Sequence, residues 1–307
     1  MLIAITGATG LIGSALGANL VDAGHEVRAL RRGNQAEGGQ YDIASDWVAP
    51  DALRGADAVV HLAGASIGTA RWTTARREAI RSSRVDSTRL LVDAMSALER
   101  RPRVFIVASG VGYYGDGGDR VLDESAPIGA GFLASLVRDW EAEAQRASAF
   151  GVRVVSARFG VVLSRHGGAL RQMALPFRLG AGGPIGSGQQ WLPWISLDDT
   201  VGALTLLLQD ERASGPVNLV APEPVTNRAF SRTLGQVLRR PSFMPVPAFV
   251  LRLALGAGRA DELLLAGQRA VPGRLHDLGF AFRHADLREV LTAELRPGAA
   301  RPQAARP

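Results

Sequence analysis

Near the amino terminus three glycines recur at every third residue, in Gly7-Ala8-Thr9-Gly10-Leu11-Ile12-Gly13. They stand between a short apolar run, Leu2–Thr6, and a longer amphipathic one, Leu11–Asp22. In a strand–turn–helix each glycine has its own steric task. Gly7 permits the tight turn, Gly10 lets backbone approach a pyrophosphate, and Gly13 lets the helix pack closely. The helix start adds N–H groups and a positive dipole end for phosphate oxygens. Thr9, Leu11 and Ile12 lie between the glycines and belong to the same candidate site.

The next apolar run, Glu26–Leu30, ends in Arg31-Arg32. An Asp or Glu here would hold a ribose 2′-hydroxyl. Two guanidinium groups suit a 2′-phosphate instead, by charge and by their fork of donors. The expected cofactor is therefore NADP(H); the competing reading is a pair of solvated surface arginines. A third run, Ala58–Leu62, leads into His61-Leu62-Ala63-Gly64-Ala65. Small side chains there let Leu62, Ala63 and Gly64 lie against adenosine and phosphates. His61 has no second ligand at a useful spacing, so no metal site is expected. Arg77, Arg81 and Arg84 share one helical face. Arg84 is the candidate to turn toward the cofactor.

Composition removes several chemistries. None of the 307 residues is lysine or cysteine, and all 35 basic residues are arginine. That excludes Schiff-base catalysis, a Walker lysine, thiol nucleophiles and Cys-ligated zinc. The plainest reading of the arginine usage is codon bias in a GC-rich genome. The net charge of +6 is spread among 29 acids with no aromatic–basic motif, so no nucleic-acid partner is expected. No apolar run reaches about 18 residues, so neither a membrane span nor a membrane partner is expected. The first residues lack the form of a signal peptide, which makes the cytoplasm the expected location.

These residues need a scaffold. Further buried strands are read at Val104–Ala108 and Val152–Ala157, with an uncertain one near Tyr41–Trp47. Helices are read over about Thr73–Leu98 and Phe132–Phe150. Alternation of this kind predicts an α/β fold, a Rossmann-type doubly wound parallel sheet over residues 1–165. Gly-rich and Pro-rich loops then punctuate residues 166–295, with helices at Asp199–Leu208, Asn227–Leu238 and Phe249–Leu255. This half is read as a smaller C-terminal substrate lobe, with some returns to the sheet. The Pro/Ala-rich end, 296–307, is expected to be disordered.

The ordered segments resemble the extended short-chain dehydrogenase/reductase superfamily. Within it the chain is most similar to atypical epimerase family proteins, relatives of nucleoside-diphosphate-sugar epimerases with a C-terminal domain of unknown function. The resemblance rests on the glycine turn, His61–Ala65, Arg71-Trp72-Thr73, Ser83-Arg84-Val85 and Ser109–Gly115. It continues through Arg158–Leu163, Gly186–Ile195, Val217–Pro222 and Gly267-Gln268-Arg269. One departure is Ser196, where relatives often carry His. The resemblance implies an NADP(H) site and a substrate lobe, and leaves the small-molecule substrate and the reaction open.

Typical members of that superfamily use a Tyr with Lys four residues on. The chain's three tyrosines are followed at that distance by Ser45, Gly117 and Gly118, so the pair cannot be carried over. Ser109, or Gly110 if the alignment shifts by one, stands where typical members bind substrate. Ser109 and Tyr114 are the remaining catalytic candidates. Ser109, Gly110 and Val162 are expected to pass near the nicotinamide. Tyr113, Gln190, Trp191 and Trp194 are candidate substrate contacts, with core packing an equal reading for the tryptophans. Two functions stand at this point: an NADP(H)-dependent oxidoreductase or epimerase with unusual residues, and a non-catalytic NADP(H) sensor or scaffold.

Overall fold

The structure, a computed structural model, describes residues 1–33, 35 and 38–296. Six parallel strands form the central sheet: β1 (Leu2–Thr6), β2 (Glu26–Leu30), β3 (Ala58–His61), β4 (Val104–Gly110), β5 (Arg153–Phe159) and β6 (Gly215–Leu219). Their spatial order is β2-β1-β3-β4-β5-β6. Ile5 pairs with Ala29 on one side and Val60 on the other. The inner strands β1, β3 and β4 read as near-continuous apolar runs because helices cover both faces of the sheet. α1 (Leu11–Asp22) and α6 (Leu197–Gln209) bury Leu16, Leu20, Leu204 and Leu207 on one face. α3 (Val85–Ser96) and α4 (Phe132–Gln145) bury Leu91, Met95, Trp140 and Ala144 on the other. Each fully buried Leu contributes about 1.5–3 kcal/mol. The strand order reverses between β1 and β3, and ligands of open α/β sheets bind outside the carboxyl ends of strands at such a point.

The expected Thr73–Leu98 helix is two helices, α2 (Thr74–Ser82) and α3. The break falls at Ser83-Arg84, where the Arg84 φ stretches to −116°. Ser83 holds the break: its hydroxyl donates to Ile80 O and accepts the N–H of Ala65. The Phe132–Phe150 helix ends as α at Gln145 and continues as a 3₁₀ turn. Tyr41–Asp42 and Trp47–Val48 form a small antiparallel hairpin. β6 comes from beyond residue 165, so the sheet draws on both halves of the sequence.

A separate core unites α5 (Gly168–Arg178), α7 (Asn227–Leu238) and α11 (Leu287–Leu295) around Leu170, Phe177, Trp194, Phe230, Leu234 and Leu291. Three short α-helices and a π-helical turn, Asp261–Leu265, lie between α7 and α11: α8 (Ala248–Leu255), α9 (Ala257–Ala260) and α10 (Gly273–Asp277). Helix α5 falls where the sequence suggested Gly-rich loops, because its flanking glycines and internal Pro176 read as breakers. Ser196 caps α6: its hydroxyl accepts the Asp199 N–H at 2.9 Å and donates to the Asp199 carboxylate at 2.8 Å. The tail expected to be disordered lies, from residue 297, outside the described residues.

Candidate functional site

The glycine turn joins β1 to α1 and is sterically closed to side chains. Gly7 sits at φ +69°, and a Cβ on it would lie 2.9 Å from Ala63 N and Leu62 C. A Cβ on Gly13 would lie 2.2 Å from the Gly7 carbonyl oxygen. Gly10 is exposed, and no side chain caps α1. The start of α1 therefore faces the crevice with its own N–H groups, which suits an anionic ligand. The turn also meets the later chain. A Cβ on Gly168 would lie 3.1 Å from Leu11 Cδ2 and 3.7 Å from Val162 O, which places Val162 beside Leu11.

Beneath the turn runs a buried chain of polar groups. Thr6 Oγ1 lies 2.6 Å from His61 Nδ1, and His61 Nε2 lies 2.9 Å from Ser87 Oγ. Ser87 donates to the carbonyls of Ser83 and Arg84, so His61 carries its proton on Nε2 and accepts from Thr6. Thr6 Oγ1 in turn accepts the Ala63 N–H at 3.3 Å. Burial, then the nearby positive charge of Arg84, push His61 down to about 3. The neutral ring acts as a strut that fixes the Leu62–Gly64 backbone.

The helix break delivers Arg84. Its guanidinium carbon lies 3.1 Å from where a Cβ of Gly64 would stand, and 5.3 Å from the Trp140 ring centre. One nitrogen donates to Ile80 O at 3.1 Å. Burial, then repulsion by Arg76, lower its pKa to about 10. No ion pair joins Arg84, Arg31 or Arg32 to a carboxylate among the described residues. Arg31 and Arg32 are exposed at the end of β2, where Arg32 bridges to the buried Tyr41. The other two arginines of the predicted face go elsewhere. Arg77 stacks on Phe132, and Arg81 pairs with Asp139 at 2.6 Å.

At the carboxyl ends of β4, β5 and β6 the polar groups satisfy one another. Arg158, 2% exposed, binds Glu141 of α4 through two nitrogens, each at 2.8 Å. The Ser109 hydroxyl donates to the same carboxylate at 2.6 Å. A third Arg158 nitrogen donates to the Tyr114 hydroxyl at 3.0 Å, which donates to Asn218 Oδ1 at 2.8 Å. Asn218 closes the chain on Leu122 O and Val271 O. Tyr113 covers the guanidinium, whose carbon lies 3.6 Å from the ring centre. Burial pushes Tyr114 up to about 12, against the lowering effect of Arg158. The two catalytic candidates, Ser109 and Tyr114, thus meet in one network, and both hydroxyl protons already have acceptors.

A cleft of about 400 Å³ opens beyond this network, lined by Gly112, Leu133, Arg252, Glu262 and Gln268 among others. The predicted substrate contacts do not line it. Trp194 is 1% exposed in the second core, its indole N–H on Glu223 O. The Gln190 amide donates to Ile185 O and Leu264 O, and Trp191 donates to Asp119 under Arg269. These three hold loops together. Sequence reasoning gave Glu141, Leu133 and Gln268 no role. The signal for Glu141 was an acid one turn from the end of a helix facing buried Arg158. Gln268 stood in a quoted motif without an assigned partner; its amide donates to Gly115 O at 2.6 Å.

The profile of the NAD dependent epimerase/dehydratase family matches residues 3–220, and a domain of unknown function, DUF1731, matches 246–294. This chain belongs to the NAD dependent epimerase/dehydratase family. Epimerase family protein MT2273 of Mycobacterium tuberculosis is 44% identical over 300 residues, 97% of this chain and 99% of that protein. Human epimerase family protein SDR39U1 is 39% identical over 290 residues, 94% of this chain and 97% of that one. The crystal structure of human SDR39U1 with NADPH superposes with a TM-score of 0.87 at 36% identity, covering 96% of this chain and 99% of that one. A nucleoside-diphosphate sugar epimerase from Corynebacterium glutamicum gives 0.78 at 37% identity, covering 96% of this chain and 58% of that one.

For a member of this family the glycine turn is the natural cofactor cradle, and its residues fit one. Gly7 and Gly13 let the turn close on its own backbone, and Gly64 lets the Arg84 guanidinium lie against it, where a Cβ would meet chain atoms at 2.2–3.1 Å. Arg84 brings a half-buried cation, without a carboxylate partner among the described residues, to the same crevice.

Proposed function

We propose that this family member binds NADP(H) in the β1/β3 crevice and works as an atypical oxidoreductase or epimerase without a Tyr–Lys pair. The observation that carries the reading is the closed glycine turn with exposed Arg31 and Arg32 at the end of the neighbouring strand. The Gly7–Gly13 turn, with Thr9, Leu11 and Ile12, would hold the pyrophosphate. Arg31 and Arg32 would hold the 2′-phosphate, while Leu62, Ala63 and Gly64 lie along the adenosine side with Arg84 above them. Ser109, Gly110 and Val162 would border the nicotinamide half. NADPH in the relative human SDR39U1 supports the same choice.

When bound, the dinucleotide supplies or accepts a hydride. The chain's own residues handle polarity and protons around it. Tyr114 stays protonated at neutral pH, since burial holds it at about 12. Ser109 donates to Glu141 and keeps its oxygen as an acceptor for a substrate hydroxyl. Arg158 fixes Glu141 and cannot shuttle protons itself. A second reading, a non-catalytic NADP(H) sensor, is favoured by one feature: both candidate hydroxyls are engaged inside the protein.

The test is to purify the protein, identify any nicotinamide cofactor carried with it, and follow nicotinamide absorbance against carbonyl compounds and nucleotide sugars. Turnover that falls in Ser109→Ala with cofactor affinity retained supports the enzyme. Tight NADPH binding with no turnover across the panel supports the sensor. Absence of nicotinamide binding overturns both.

A further inference from the structure

One face of the molecule is apolar and basic at once. Of the ten large hydrophobic side chains exposed among the described residues, seven lie in two short stretches, 175–179 and 243–253. Leu179, Phe243 and Leu253 are each 76% exposed. The loop that follows the first stretch adjoins the second. Met244 N–H donates to Gly182 O at 3.3 Å, Val246 N–H donates to Pro184 O at 2.9 Å, and Ile185 bridges Val246. The end of α5 leads into one side of this strip, and α8 starts from Pro247 at the end of the other. Seven of the eight residues of α8 are apolar, and none of the eight is buried. Apolar clusters of this kind on a folded chain mark contact surfaces.

The two segments that carry the patch are basic in sequence. Neither residues 165–197 nor residues 224–260 contain an Asp or Glu, yet together they carry nine arginines. Set against a chain total of +6, this leaves the remainder net negative. Arg178 adjoins Leu179, Arg239 and Arg240 precede Phe243, and Arg252 lies within α8. Two acids reach this edge: Asp261 pairs with Arg252 at 2.8 Å, and Glu262 accepts the Leu133 N–H at 2.7 Å.

We propose that this face docks on an anionic lipid surface. Phe243, Phe249, Leu179 and Leu253 enter the boundary between headgroups and acyl chains, and the arginines meet lipid phosphates. Charge decides between this occupant and a second copy of the chain. A twofold dimer would press an arginine-rimmed patch against itself, with the edge acids Asp261 and Glu262 already engaged by Arg252 and the Leu133 N–H. Lipid supplies the missing negative charge. Among the described residues no helix is long and apolar enough to cross a membrane, and peripheral docking needs none. The expectation of no membrane partner rested on spanning segments alone. α8 also gives Arg252 to the cleft wall, so the docked face and the cleft share an edge.

The experiment is co-sedimentation of the full chain with phosphatidylcholine vesicles, with and without phosphatidylglycerol, at low and high salt. Sedimentation velocity run in parallel gives the oligomeric state. The expected result is binding to the anionic vesicles that weakens with salt. The double variant Phe249→Ser, Leu253→Ser should lose more than tenfold in vesicle affinity, and Arg178→Gln and Arg240→Gln roughly fivefold each. These side chains are exposed, so the unfolding midpoint should not move. Equal partitioning to neutral and anionic vesicles, no binding to either, or a dimer that the double serine variant dissociates would overturn the proposal.

Discussion

The crevice at β1/β3 and the network at β4–β6 lie at the same edge of one sheet and treat polar groups in opposite ways. Around the glycine turn, the start of α1 has no side-chain cap, and Arg31, Arg32 and Arg84 have no carboxylate partner among the described residues. Around Arg158, Glu141, Ser109, Tyr114 and Asn218 engage one another. A folded chain normally pairs its buried polar groups, because an unpaired one costs about 1–3 kcal/mol. The half-buried Arg84 guanidinium at the crevice, with no carboxylate beside it among the described residues, therefore points to an anionic ligand. Closure at the network points to structure, and to a reaction in which these hydroxyls act only if a partner exchanges.

The comparison breaks most readily at Arg158. Arg158→Met leaves Glu141 without its cation and should cost about 3–5 kcal/mol in urea unfolding. Adding Glu141→Leu should recover much of that, because the charge goes with its partner. A single variant of unchanged stability would mean that the network is not closed. At the crevice, Gly13→Ala drives a methyl into the Gly7 carbonyl. NADPH affinity should fall by more than about a hundredfold, roughly 3 kcal/mol, as read by calorimetric titration.

Tyr114→Phe separates the two regions more finely. It strands Asn218 Oδ1 and one Arg158 nitrogen, so stability should drop by about 1–2 kcal/mol while NADPH affinity holds. Lost turnover at unchanged stability would instead make Tyr114 a reacting group.

The smallest effect is a pH slope. His61 stays neutral in the fold down to about 3, below its usual 6.5. The unfolded chain therefore binds the extra proton first, and stability from this group, complete above 6.5, declines as pH falls toward 3. The slope approaches about 1.4 kcal/mol per pH unit within that window. His61→Asn should flatten it between pH 6.5 and 5, above the carboxylate range. An unchanged slope would mean that His61 is accessible to protons in the fold.

Much of the crevice was legible in the sequence because local geometry makes it. The spacing of Gly7, Gly10 and Gly13, and the position of Arg31-Arg32 after an apolar run, depend on one turn and one strand end each. The break that turns Arg84 inward was not legible. It depends on Ser83 meeting Ala65 across eighteen positions, which helical periodicity cannot register. The network was unreadable for the same reason, since Tyr114 and Asn218 stand 104 positions apart. Trp191 and Trp194 drew attention by residue type, yet their indole N–H groups serve packing. Absent lysine kept its force throughout: no arrangement of this chain can supply the lysine of a Tyr–Lys pair.

The claim that the arginines at the end of β2 select a 2′-phosphate is open to one direct measurement. Titrate NADPH and NADH into the parent protein and into Arg32→Ala. The parent should bind NADPH more tightly, and the variant should lose at least about tenfold for NADPH, roughly 1.4 kcal/mol, with NADH nearly unchanged. Equal losses for both dinucleotides, or a parent protein that prefers NADH, would contradict it.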